Sequence, residues 1–160
     1  MGMLSLTHME ALIRTYFDGC NEADEQKMMS CFTPDAIHYF PPGMYEGPFV
    51  GAATIAQRWA TAVRTGGSAW TVDSFVGDAQ RGEAVIEWSH FKQFAGTILR
   101  GVEWYVFDQT SGLITEIRAY YASPQDASLT TLELGGFDYV GRGWPTQPPD
   151  SHRHEPPNIT

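Results

Sequence analysis

The feature that most constrains this chain is a change of hydrophobic period near residue 67. Upstream, apolar residues recur at helical spacing; downstream, they alternate. Segments 69–76, 83–94, 98–108 and 113–122 follow a period of two and are rich in β-branched and aromatic residues, the pattern of half-buried strands. The separators "GDAQRG", "AG" and "QTSG" are turn chemistry. Long strands on short turns make an antiparallel meander, and one face of such a sheet needs a cover.

The first third of the chain supplies that cover. Thr7, with Glu10 three residues on, reads as a capping box. Leu12, Ile13, Tyr16, Phe17 and Cys20 then mark a helix over 7–21. Asn21 and Asp24 are cap-type residues expected to open a short second helix through Met28, Met29 and Phe32, stopped by "TPD" at 33–35. A strand follows at 36–40, then the loop "PPGMYEGPFVG". A third helix over 52–64 carries Ile55, Trp59 and Val63 on one face and ends at "TGG". The fold class is therefore α+β: three helices packed on a strongly curved antiparallel sheet, a cone-shaped barrel enclosing a pocket.

Length and charge set outer bounds. The 160 residues fit one domain, expected over 1–145. Its C-terminal segment, about 123–145, includes the aromatic and glycine-rich "LGGFDYVGRGWP". Phe137, Tyr139 and Trp144 there predict a lid over the pocket or a dimer contact. Residues 146–160 read as a flexible, proline-rich tail. A net charge of −9 argues against nucleic acid or an anionic membrane as partner. No apolar run matches a membrane span, and the first residues lack an export signal. Cys20 and Cys31 have no metal-type spacing and read as reduced core thiols, so a cytoplasmic protein is expected. "HRH" at 152–154 offers no third ligand for zinc, and "GRG" at 141–143 precedes no phosphate-binding helix. No metal or organic cofactor is expected.

Alternation sorts the candidate residues by face. His38 and Phe40 share one face of the first strand. A two-residue turn at 95–96 predicts His90 opposite Gly101 and Trp88 opposite Glu103. Trp88, His90, Glu103 and Tyr105 then share a face with Ile117, Ala119 and Tyr121. Apolar walls with a few convergent titratable groups suit a small-molecule site. His38 or His90 is the candidate base. Each residue also has a plain structural reading: a hydrogen-bonded strand histidine, Tyr16 as a helix anchor, Asp24 as an N-cap, Glu103 paired with Arg100. The opposite face carries Glu87, Trp104, Glu116, Arg118 and Tyr120, with Arg118 expected to pair Glu116 or Glu87.

Three pieces carry a resemblance over about residues 8–122: "RTYFDGCNEAD", "CFTPDAIHYFPPG" before "EGPFVGAATI", and the hairpin "VEWYVFDQTSGLITEIRAYY". In this order they resemble the nuclear transport factor 2-like (NTF2-like) superfamily, in particular SnoaL-like and ketosteroid-isomerase-like proteins. The resemblance implies that Tyr16 matches the tyrosine donating to the oxyanion and Glu103 the carboxyl beside it. The isomerase's aspartate base falls on Phe40, a departure that counts against ketosteroid isomerisation. Asp24 matches the carboxylate of the dehydratase branch, whose second-strand histidine is replaced in "SAWTV". The outer sheet face is implied to form a homodimer. The function expected is a cofactor-independent lyase or dehydratase acting on a small aromatic or polycyclic hydroxy or carbonyl compound, lignin-derived diaryl compounds included. Tyr16, His38, His90, Glu103 and Asp24 are the catalytic candidates. Phe40, Trp59, Trp88, Tyr105, Ala119 and Tyr121 would contact substrate. The alternatives are a SnoaL-like isomerase or cyclase, and a non-catalytic small-molecule-binding dimeric domain.

Overall fold

Helix α1 (Leu6–Glu22) begins at Ser5, whose hydroxyl accepts from the His8 N–H. Thr7 is therefore inside the helix, and Glu10 pairs with Arg14 one turn on (2.9 Å) instead of closing a capping box. The computed structural model describes residues 4–41, 44–121, 130–132 and 138–157. The buried stripe Met9, Ile13, Tyr16, Phe17 and Cys20 lies where its spacing predicts. Asn21, expected as a cap, is within α1 and buried. Its side-chain amide donates to the Trp70 carbonyl (2.9 Å) and its oxygen accepts from the Trp70 N–H (2.7 Å). One side chain thus acts as a strand neighbour for Trp70 and fastens α1 to the sheet. Asp24 is the N-cap of α2 (Glu25–Met29), accepting from the Lys27 N–H.

Strand β1 (Phe32–Tyr39) starts four residues earlier than the spacing predicts. Pro34 does not block it, because the pairing is irregular between Phe32 and Ile37, where a ladder N–H is not required. The following loop contains β2 (Phe49–Val50), antiparallel to β1, and leads into α3 (Ala52–Gly66). The meander is β3 (Ser68–Asp78), β4 (Glu83–Lys92), β5 (Thr97–Phe107) and β6 (Ile114–Tyr120). β1 joins the β6 edge in parallel, so the sheet is mixed, in the order β2-β1-β6-β5-β4-β3. β6 pairs with β5 from Val102 onward; β7 (Thr131–Leu132) covers part of what remains, parallel to Ile98 and Leu99. Helices α1 and α3 lie on the sheet against β3 and β1. Among the described residues no helix is long and apolar enough to cross a membrane.

The β4–β5 turn has four residues, 93–96, not the two of "AG". Residues 93 and 94 are drawn away by the end of α3: the N–H groups of Gln93 and Phe94 donate to the carbonyls of Gly67 and Gly66. His90 therefore faces Leu99, Trp88 faces Gly101 and Ile86 faces Glu103. The displacement is two residues, so every side chain keeps its predicted face. Gly101 is required by contact. A Cβ there would lie 2.5 Å from Trp88 Cζ2.

The outer face carries a polar network. Thr71 and Ser89 donate to Asp73 (2.7 and 2.6 Å), and Arg100 donates to Ser89 (2.7 Å). Arg100 thus points outward and does not pair with Glu103. Its guanidinium lies 4.3 Å from the Tyr139 ring, which buries Tyr139 there, with Trp144 half-buried beside it. The described part of the expected lid thus packs on the outer face and does not line the cavity; Phe137 is outside the described residues. In the described part of the tail Asp150–His152 forms a 3-10 turn, and Gln93 binds the tail through the His152 carbonyl and the His154 N–H. Arg118 pairs with Glu116 (2.6 Å), as the alternation predicts.

Asn21→Ala removes both partners of the Trp70 backbone. Unsatisfied buried groups cost about 1–3 kcal/mol each, so the expected loss is about 2–3 kcal/mol in urea denaturation. Unchanged stability would show that α1 is held by packing alone.

Candidate functional site

The concave face of the sheet, under α1 and α3, leaves an aromatic cavity. Phe40, Trp59, Trp70, Trp88 and Tyr121 wall it, with Ala119 and Cys20 between them. Trp59 stands at the centre of the ring cluster, 5.8 Å from Phe40 and 5.7 Å from Trp70. Met44 and Tyr45 close one side from the β1–β2 loop. Arg58 holds that loop: it binds both Glu46 oxygens (2.9 and 3.0 Å) and lies 4.4 Å over Phe49. Tyr16, His90, Lys92 and Glu103 also line the cavity.

Glu103 is the carboxyl among them. Tyr105, two residues on and on the same face, donates its hydroxyl to Oε2 at 2.5 Å. His38 arrives through the β1–β6–β5 pairings, which align His38 with Ile117 and Ile117 with Tyr105. Its Nε2 is 3.4 Å from Glu103 Oε1, inside ion-pair range but not aligned as a hydrogen bond. His38 Nδ1 is 3.3 Å from the Tyr39 carbonyl, which can only accept, so this nitrogen carries hydrogen. Nε2 then meets a carboxyl oxygen. His38 is 1% exposed and does not line the cavity; it backs Glu103. Tyr105, expected to contact substrate, is 0% exposed and likewise lies behind Glu103.

His90 differs. It lines the cavity, but its Nε2 meets Ser68 Oγ (2.8 Å) and its ring stacks on Trp70 at 4.5 Å. Burial, and after it the Lys92 charge, lower its pKa to about 3. A neutral imidazole that holds a proton so weakly is a poor base. Tyr16 has its phenol pushed well above the ordinary range by burial first, then by Cys20 and Glu103, so it stays a hydroxyl donor. Burial does the same to the Cys20 thiol. Asp24, tied up as the α2 cap, does not line the cavity. Among the described residues no three His, Cys, Asp or Glu side chains are grouped to hold a metal ion.

Sequence reasoning missed Met44, Tyr45, Trp70 and Lys92. Lys92 follows Trp88 and His90 in the same alternation and was detectable. Trp70 sits where the resemblance noted a missing histidine, and it serves as the platform for His90. Nothing in a loop's spacing pointed Tyr45 inward.

A family model described as a SnoaL-like domain matches residues 13–117. The crystal structure of a protein of unknown function with a cystatin-like fold, from Methylobium petroleophilum PM1, is 57% identical over 97% of this chain and 99% of that chain, with a TM-score of 0.75. A Mycobacterium tuberculosis protein solved in complex with estradiol-17β-hemisuccinate is 17% identical over 72% of this chain and 94% of its own, with a TM-score of 0.61. A putative polyketide cyclase from Sinorhizobium meliloti is 16% identical over 69% of this chain and 94% of its own, with a TM-score of 0.57. No curated protein matches the chain.

His90 makes stability depend on pH. Its folded pKa of about 3 lies below the ordinary value of about 6.5. The unfolded chain therefore binds the extra proton, and stability is full above about pH 6.5 and falls as pH drops toward 3. The slope from this group is about 1.4 kcal/mol per pH unit. In His90→Gln that component should vanish, leaving a flatter profile of unfolding free energy between pH 6.5 and 4. Parallel profiles would show that His90 is not buried neutral.

Proposed function

The chain belongs to the SnoaL-like domain family of the NTF2-like superfamily, and on that premise we propose an acid–base enzyme of the isomerase or cyclase type, acting on a small polycyclic carbonyl compound. One observation carries this reading: Glu103, a carboxyl on the wall of an aromatic cavity, is fixed from behind by Tyr105 and faced by His38. Burying a carboxyl is costly unless it is hydrogen-bonded. Here its partners sit on the far side, leaving the cavity side for a ligand.

The chemistry follows from that placement. Glu103 takes a proton from the carbon next to a substrate carbonyl. The C–H electron pair moves into the enolate, and negative charge gathers on the carbonyl oxygen. Tyr16, kept neutral by burial, donates a hydrogen bond to that oxygen. His38 and Tyr105 hold Glu103 in place from behind. Return of the proton to another carbon gives isomerisation. Attack of the enolate carbon on a second carbonyl closes a ring, and the proton held by Glu103 passes to the new alkoxide. Loss of a leaving group from the same enolate would make the protein a lyase or dehydratase, lignin-derived diaryl compounds being one such substrate class. The likeness to a putative polyketide cyclase and to a protein holding a steroid ester favours the first two outcomes. On the outer face, Tyr120 is 59% exposed and Trp104 half-buried beside Arg118, which supports a homodimer through that face.

Deuterium incorporation next to the carbonyl of polycyclic ketones, followed by NMR in D₂O, tests the assignment. Glu103→Gln should slow exchange by about 10²-fold or more, and Tyr16→Phe by about 10²-fold, with ligand affinity little changed. Full exchange in Glu103→Gln would refute Glu103 as the base. A wild-type protein that binds these ketones without exchange would be a binding module. A monomeric mass in light scattering at micromolar concentration would remove the dimer.

A further inference from the structure

We infer that Lys92 gives the cavity an anion-binding end, so that its ligand is a flat multi-ring compound carrying a carboxylate away from the carbonyl that Glu103 addresses. This rests on the reading of the cavity as the ligand site and specifies what that ligand must bear.

Lys92 ends β4 on the same alternation as Trp88 and His90, and it lines the aromatic cavity. It also lines a second groove, between the β4–β5 turn and the tail, together with Gln93, Thr97, Arg153, His154 and Glu155. It is therefore the residue at which the two spaces meet. Gln93 sets this arrangement by binding the tail at His152 and His154. Arg153 is committed to Asp150 at 2.9 Å. Lys92 is half-buried and has no ion-pair partner among the described residues. Its nearest titratable neighbour on the strand, His90, is held neutral, partly by the Lys92 charge itself. A cation that lines an aromatic cavity without an anion of the protein beside it is open to a ligand carboxylate, with which it forms a charge-assisted hydrogen bond.

The separation of the two polar ends suits a polycyclic body. Glu103 pairs with Ile86 on β4, and Lys92 lies six residues beyond Ile86 (92 minus 86). At about 3.3 Å per residue this is roughly 20 Å along the strand, shortened by the curl of the sheet. The walls between them are Trp70, Trp88 and the His90 ring, flat surfaces on which fused rings stack. A single carboxylate fits better than a phosphate. Glu155 shares the groove, the chain carries −9 overall, and Lys92 is the one groove cation without an acidic partner among the described basic residues other than His154.

The test compares 4-(1-pyrenyl)butanoate with 1-pyrenebutanol, which share a ring system and differ in charge, by fluorescence titration of the full chain. The expectation is that wild type prefers the carboxylate by about tenfold, a modest charge-assisted hydrogen bond. This preference runs against the net negative charge and should shrink with added salt. In Lys92→Gln it should fall to about one, and Lys92→Arg should keep it. Circular dichroism of both variants verifies the fold. Equal affinities in wild type, or a preference that survives in Lys92→Gln, would overturn the anion-binding end while leaving the cavity reading in place. Failure of both compounds to bind would overturn both.

Discussion

The register of β4 against β5 is the constraint on which the rest depends. Side chains on a strand alternate, so a slip of one residue in β4 would turn Trp88, His90 and Lys92 outward, and the same slip in β5 would turn out Glu103 and Tyr105. The first slip would drive Ser89 into the aromatic interior, the second Arg100. The register is held from both faces. On the inside, the Trp88 ring fills the space that Gly101 leaves by having no Cβ. On the outside, Ser89 bridges Asp73 and Arg100, and that polar chain has no counterpart in the cavity. At the turn, the end of α3 takes the N–H groups of residues 93 and 94. Burial raises the pKa of Asp73, its largest influence, so the network is itself partly withdrawn from water.

With that register set, the helices decide how much of the concave face becomes core and how much becomes cavity. α1 is fastened at Asn21, where the side chain pairs with both backbone groups of Trp70. This fixes Tyr16 and Cys20, on the same helix face, against the middle of the sheet. α3 brings Trp59 among His38, Phe40 and Phe49. Ile86, Ile114 and Ile117 are sealed, whereas Trp88, Ala119 and Tyr121 keep contact with the cavity. The space is therefore a part of the core that the helices do not fill.

The meander and its two faces were legible in the sequence because a period of two tolerates an error of two. The turn was placed as a two-residue turn and is a four-residue one, yet each strand side chain remained on its predicted face. Local contacts were less legible. Ser5 and Thr7 are equally good caps by composition, and only the path of the chain separates them. Asn21 and Asp24 are both cap-type residues at one turn. One caps α2; the other spans to a strand 49 residues away, a distance no local pattern encodes. The SnoaL-like match was readable from the order of three short pieces. The Arg58–Glu46 clamp that holds Tyr45 to the cavity was not, because it joins a loop to a helix twelve residues later.

The two strand histidines show why residue type alone did not assign the chemistry. Both are buried, both lie on the concave face, and both stack on an aromatic ring: His38 on Phe40 at 4.2 Å, His90 on Trp70 at 4.5 Å. Their neighbours differ. His90 meets a hydroxyl, which can donate or accept, and a lysine charge that opposes protonation. His38 lies between a carbonyl and a carboxyl, both of which welcome hydrogen. Burial, and after it the lysine, lowers the pKa of the first ring to about 3, whereas the second ring has a carboxyl oxygen 3.4 Å from its Nε2. The histidine that touches the cavity is thus turned to a hydroxyl, and the hidden histidine reaches the cavity only through Glu103.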